Sequence, residues 1–374
     1  MNEVFPIDYK SILERVDRVD PSAYRRTRNF TDGAVSYLSP YISRGVISIN
    51  QVRNSVLKRG LKAYQTERFI QELLWREYWQ RVWQDLGDKL FADIKHVQPD
   101  VVNYQMPVAV NEANTGIKIM DDMIENLYES GYMHNHVRMY TAAICCNIAK
   151  SHWMQPSRWL YYHLLDGDLA SNMLSWQWVA GSFSNKKYYC TQDNINRYTH
   201  SEQKETFLDR PYAELVKMDV PDILTKTKVS EYRTIFPKTK QPVIDKEIST
   251  LIYNSYNLDP EWRKNEKVNR ILLLEPSHFK KHSVSEKVLK FILELSENIS
   301  GIQIYTGEFN ELKMLSDKLI YKEHPAFRHY EGTEDSRDWI APDVTGYFAS
   351  YFTFYKRVVK SLKANNTKYG ADLH

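Results

Sequence analysis

The chain has 374 residues, a net charge of +3, and 43% apolar and 26% charged residues. That is the balance of a soluble globular protein long enough for two domains or one large one. Residues 1–215 hold 25 Lys/Arg against 25 Asp/Glu, which excludes a globally basic nucleic-acid binder and leaves phosphate contact to local patches.

Residues 1–20 read as a short leader with a helical turn or two. Met-Asn-Glu-Val-Phe-Pro-Ile-Asp has neither a basic n-region nor an apolar h-region, so no signal peptide is expected. No apolar run approaches a membrane span. The cysteines Cys145, Cys146 and Cys190 fit a reducing compartment and are too few for an iron–sulfur cluster. A cytoplasmic protein that does not engage membranes is the expectation.

Residues 21–34 are polar and basic, with Arg25, Arg26 and Arg28 close together, and 33–41 combine small, hydroxyl and turn residues. Residues 47–59 have a helical apolar period stopped by Gly60. Residues 66–86 predict a longer helix with Thr66 as its cap. Residues 90–114 show no period and read as a loop. Helices follow over 117–129, 133–151, 156–165 and 168–180, so 1–215 is almost wholly α. Lys, Thr and Pro dominate 216–259, a segment that wraps a surface, with a helix over 245–257. Strand patterns at 270–275, 302–305 and 318–321 alternate with helical patterns at 284–298 and 308–317. That order predicts a small parallel sheet in a domain over 260–345. An aromatic helix is expected over 343–362; 346–374 form the C-terminal helix and tail, whose last dozen residues are expected to be disordered. The fold class is mainly α, followed by a small α/β region.

With 9 Trp and 26 Tyr the chain has material for pockets that hold flat ligands. Ser36 and Ser39 with helix-start N–H groups suit a pyrophosphate, or are an ordinary N-terminal turn with Pro40. Glu72, Trp75 and Arg76 share about one turn. They are either a surface ion pair beside a packed ring or the mouth of a site, with Arg76 on a phosphate. Asn135, Arg138 and Met139 occupy one helix, and Asp166 and Asp168 start another. An Arg138–Asp166 pair is expected, either structural or completed by a heterocycle with N–H and C=O edges that meets Asp168 and Asn172. Trp176 and Trp178 point in different directions. His134-Asn-His136 splays its rings and makes no metal site.

These stretches resemble, in order, the flavin-binding half of the cryptochrome/photolyase family over about residues 21–200. The motifs are Val35-Ser-Tyr-Leu-Ser39, Trp75-Arg-Glu-Tyr78, Met133-His-Asn-His-Val-Arg-Met139, Asp166-Gly-Asp-Leu-Ala-Ser-Asn172 and Trp176-Gln-Trp178. The resemblance implies an all-helical FAD-binding domain over 1–215. Tyr24, Ser36, Leu38, Ser39 and Arg76 would hold the phosphates and ribityl chain. Asn135, Arg138, Asp166 and Asp168 would surround the isoalloxazine, with Asn172 facing N5. Glu72, Trp75, Met139 and Trp178 would line a dimer pocket, and Trp176 and Trp153 would be the first members of an electron relay.

The implied activity is light-driven electron transfer from reduced flavin to pyrimidine dimers in DNA, with Lys186 and Lys187 among the DNA contacts. The alternatives are a cryptochrome-type photoreceptor and a flavin-binding protein without repair. An antenna pigment and protein partners are not implied. The sequence departs from the family at Val35, at His136 where the family has an Arg, and beyond Asn185. It also departs at the distal relay position, where Tyr104 is the nearest aromatic. The family's α/β antenna domain precedes its flavin domain. Here the α/β-like stretch follows, and 260–345 is expected to be a relocated, reduced counterpart.

Overall fold

The computed structural model describes residues 5–364, and the chain folds into two compact units. The first comprises Arg26–Val35 and Leu86–Tyr232; the second comprises Phe5–Arg25, Ser36–Asp85 and residues 233–364. This division does not follow the boundaries at 215 and 259 expected from composition.

The first unit is helical. Its main helices are Lys118–Ser130, Asn135–Ala143, Met154–His163, Leu169–Ala180 and Gln192–Thr199. Asn135–Ala143 runs on as a π-helical turn, Ile144–Ile148, that buries Cys145 and Cys146. Lys118–Ser130 ends at Gly131, whose φ of +71° suits glycine. Part of the expected loop at 90–114 is ordered by β1 (Met106–Pro107), which pairs antiparallel with β2 (Thr227–Lys228).

The second unit joins a helical part to a sheet. Its longest helix, Ala63–Leu86, begins before Thr66. Thr66 is not the cap: its hydroxyl donates to the Ala63 carbonyl, while Gln65 accepts from the Lys62 N–H. The sheet has five parallel strands: β3 (Thr250–Tyr253), β4 (Asn269–Leu274), β5 (Ile302–Thr306), β6 (Leu319–Lys322) and β7 (Thr333–Asp335). Their spatial order is β5-β4-β3-β6-β7. The central strand β3 is buried along its length. It lies in 245–257, where a helix was expected: Thr-Leu-Ile-Tyr is too short a run to show its period, and burial on both faces removes the alternation. The aromatic helix starts at Tyr351 rather than 343, because Gly346 has φ +88° and the Ser350 hydroxyl accepts from the Thr353 N–H. The expected disordered tail lies almost wholly outside the described residues. Among these, no helix is long and apolar enough to cross a membrane.

Candidate functional site

In the first unit, Gly131 brings the end of one helix against the start of the next motif. The Leu165 N–H donates to the Gly131 carbonyl at 2.8 Å, and a Cβ on Gly131 would lie 2.7 Å from Leu165 Cγ. Asp166 follows directly. Its carboxylate accepts from Arg138 Nη2 at 2.9 and 3.1 Å, while Arg138 Nε donates to the Met133 carbonyl at 2.7 Å. The pair is largely enclosed, with 20% of the Arg138 and 4% of the Asp166 side chain exposed.

Asp168 caps the Leu169–Ala180 helix by accepting from the Ser171 N–H at 2.7 Å, and its charge suits the helix N-terminus. Asn172 donates from Nδ2 to the Ser157 carbonyl at 2.8 Å, which fixes the amide and leaves its oxygen as an acceptor. Arg138, Asp166, Asp168 and Asn172 thus stand in or just before the first turns of two helices, with the Met154–His163 helix between them in sequence. Asn135 is exposed and Met139 half-buried on the Arg138 helix.

The tryptophans separate as their spacing requires. Trp176 is buried, whereas Trp178 is 38% exposed with its ring 5.9 Å from Tyr188. Trp153 is fully buried and donates from Nε1 to Asp93 at 2.7 Å. His152 lies 5.5 Å from Trp153 and 4.9 Å from Tyr104, ring to ring, and Tyr104 is 69% exposed. Three rings therefore lead from the core to the surface. Lys186 and Lys187 line a recess of about 310 Å³ with Tyr189 and Tyr212, and Lys187 is paired with Asp100 at 2.7 Å.

In the second unit, Arg76 Nη2 donates to Ser43 Oγ at 2.6 Å, which ties it to the short Ser39–Ser43 helix. The N-cap of that helix, Leu38, is apolar and makes no side-chain cap. Ser36 accepts from the Leu38 N–H at 3.4 Å, and Tyr37 between them has φ +52°. Tyr24 packs edge-on against Phe69 at 5.1 Å.

Glu72 pairs with Arg68, one turn before it, at 2.9 Å. The Trp75 ring lies face to face on Tyr351 at 3.8 Å. That face is occupied in this structure.

Residues 69–249 match the family model for the FAD-binding domain of DNA photolyase. This stretch, a little under half of the chain, has the sequence of an FAD-binding domain of photolyase type. Among its relatives is a deoxyribodipyrimidine photo-lyase of Alkalihalophilus pseudofirmus, 30% identical over 42% of this chain and 34% of the relative. Another, from Agrobacterium fabrum, is 32% identical over the same shares. The matched region thus spans about a third of either relative. A solved cryptochrome of Synechocystis sp. aligns with 53% of this chain and 44% of its own at 23% identity and a TM-score of 0.47.

The cofactor of this photolyase-type domain is FAD. The donor set of the first unit fits a flavin: carboxylate and amide oxygens for ring N–H groups, and the Arg138 guanidinium for a ring carbonyl. His136 differs from a DNA-facing Arg in kind. It donates from Nδ1 to the Asn29 carbonyl at 2.9 Å, packs between Tyr140 and Tyr198, and burial lowers its pKa. Sequence reasoning passed over Glu77. This fully buried carboxylate accepts from the Ile340 and Ala341 N–H groups at 2.8 and 3.1 Å, and burial raises its pKa. Its partners lie more than 260 residues away in sequence, so no local pattern announced them.

Proposed function

We propose that this protein is a FAD-dependent, light-driven repair enzyme for pyrimidine dimers in DNA. The observation that carries the reading is the enclosed Arg138–Asp166 pair, followed within six residues by the Asp168 carboxylate and the Asn172 amide at a helix start. A guanidinium, carboxylates and an amide match the C=O and N–H edge of a flavin. Asn135, Arg138, Asp166, Asp168 and Asn172 hold the isoalloxazine. Tyr24, Ser36, Leu38, Ser39 and Arg76 take the phosphates and ribityl chain. When bound, reduced flavin supplies a photoexcited one-electron donor.

The protein's own groups do the rest. Glu72 gives up Arg68 to hydrogen-bond the dimer. Met139 and the exposed face of Trp178 receive a nucleotide turned out of the stack. Trp75 adds its ring when Tyr351 leaves it. Lys186 and neighbouring cations bind phosphate, so DNA affinity falls with salt. Trp176 and Trp153 carry electrons inward, with His152 and Tyr104 extending the route to solvent.

A second reading, a flavoprotein without repair, is favoured by one observation: Tyr351 covers Trp75. Reconstitution separates the two. The purified protein is expected to take up FAD and to bind a dimer-containing oligonucleotide in preference to the undamaged strand. Flavin uptake with no preference supports the second reading, and failure to take up FAD removes both.

A further inference from the structure

The Ala63–Leu86 helix presents Glu67, Gln71, Trp75 and Tyr78 along one side, and the Tyr351–Ala364 helix with the residues just before it meets each of them. The Trp75 and Tyr351 rings are 3.8 Å apart and inclined by only 8°. The Tyr351 hydroxyl donates to the Gln71 carbonyl at 2.8 Å. The Tyr355 hydroxyl donates to Glu67 at 3.3 Å and accepts from Gln71 at 3.5 Å, and Tyr78 donates to the Phe348 carbonyl at 3.0 Å.

The covering helix is held lightly. It buries a narrow stripe, Tyr351, Phe354, Val358 and Leu362. Its outer side is basic and largely exposed, with Lys356, Arg357, Lys360 and Lys363. The segment before it is mostly exposed at 345–350, and Gly346 there has φ +88° with no atom within 4 Å of where a Cβ would stand. An amphipathic helix on an exposed tether with a glycine joint can leave its seat without unfolding the sheet.

We infer that the Tyr351–Ala364 helix is a releasable cover, and that the Tyr351 ring stands on Trp75 where an unstacked nucleobase binds. This rests on the proposed function, which supplies the nucleic acid. A ring lying parallel on an indole at this distance has the geometry of a base on tryptophan. Nucleobase and Tyr351 therefore compete for one face. The basic outer side draws the phosphate backbone toward the cover, and a base that takes the Trp75 face displaces Tyr351.

The test uses the FAD-loaded full chain and a fluorescein-labelled oligothymidylate, read by anisotropy. Tyr351→Ala is expected to tighten binding about ten-fold, the worth of one freed stacking face. Tyr351→Phe keeps the ring but loses the hydroxyl bond to Gln71, and is expected to gain far less than Tyr351→Ala. Trp75→Ala placed on Tyr351→Ala is expected to remove the gain. A second measurement retains Tyr351: the double variant Glu67→Cys/Tyr355→Cys, bridged by a short bis-maleimide, is expected to bind more weakly than its unbridged form.

No gain in Tyr351→Ala, a gain that survives loss of Trp75, or a bridge without effect overturns the cover. Flavin absorbance is read on the same samples, and restoration of thymines on parallel samples of each variant that are reduced, given a dimer-containing oligonucleotide and illuminated. A Trp75-dependent gain without restoration upholds the cover and removes repair. Restoration with no gain removes the cover and leaves repair standing.

Discussion

A carboxylate with 4% of its side chain exposed, facing a guanidinium that is itself largely enclosed, leaves an uncompensated charge when either partner is removed. Asp166→Asn is therefore expected to cost about 3 kcal/mol of stability and to weaken FAD binding, read by thermal unfolding and flavin titration. A variant that unfolds normally and binds FAD as well as the parent would contradict the role given to the pair. His134 makes a second residue-scale prediction. Burial lowers its pKa from 6.5 to about 4, so between these values the unfolded chain binds the proton more readily. The neutral folded form is fully favoured above pH 6.5, and the advantage is lost as pH falls toward 4. The loss amounts to roughly 3 kcal/mol. Unfolding curves across that range should show the decline, and His134→Gln should flatten it.

At the scale of the element, Gly131 sets where Asp166 stands. Gly131→Ala places a methyl 2.7 Å from Leu165 Cγ at a φ of +71°. Such a strained position costs on the order of 1–3 kcal/mol. The variant is expected to lower both thermal stability and FAD affinity, because the strain falls on the residue preceding Asp166. Unchanged affinity with lowered stability would mean that the site tolerates the shift. Helix ends such as this one were legible in the sequence, since a glycine after a helical period is a local signal. The separation of Trp176 from Trp178 was legible for a similar reason, as spacing within a helix. β3 was not, because a buried four-residue run has no period of its own. Nor were the backbone contacts of Glu77 or the stack of Tyr351 on Trp75, which join residues distant in sequence.

At the scale of the molecule, the matched domain accounts for residues 69–249, while β3–β7 and the covering helix lie beyond it. The parallel sheet expected after the helical part is present, with two strands more than the sequence showed. That this region is a relocated counterpart of an antenna domain is a proposal, and deletion cannot test it, because the sheet shares one compact unit with Ser36–Asp85 and the chain after it holds the buried Glu77 carboxylate through Ile340 and Ala341. The account as a whole depends on light, flavin and DNA meeting in one protein. Its most direct test is to reduce the FAD-loaded chain, add an oligonucleotide carrying a thymine dimer, illuminate with blue light and score restored thymines. Restoration in the light, none in the dark, and loss with Glu72→Ala is the result this account predicts. No restoration by a protein that holds reduced flavin and binds the oligonucleotide would contradict it.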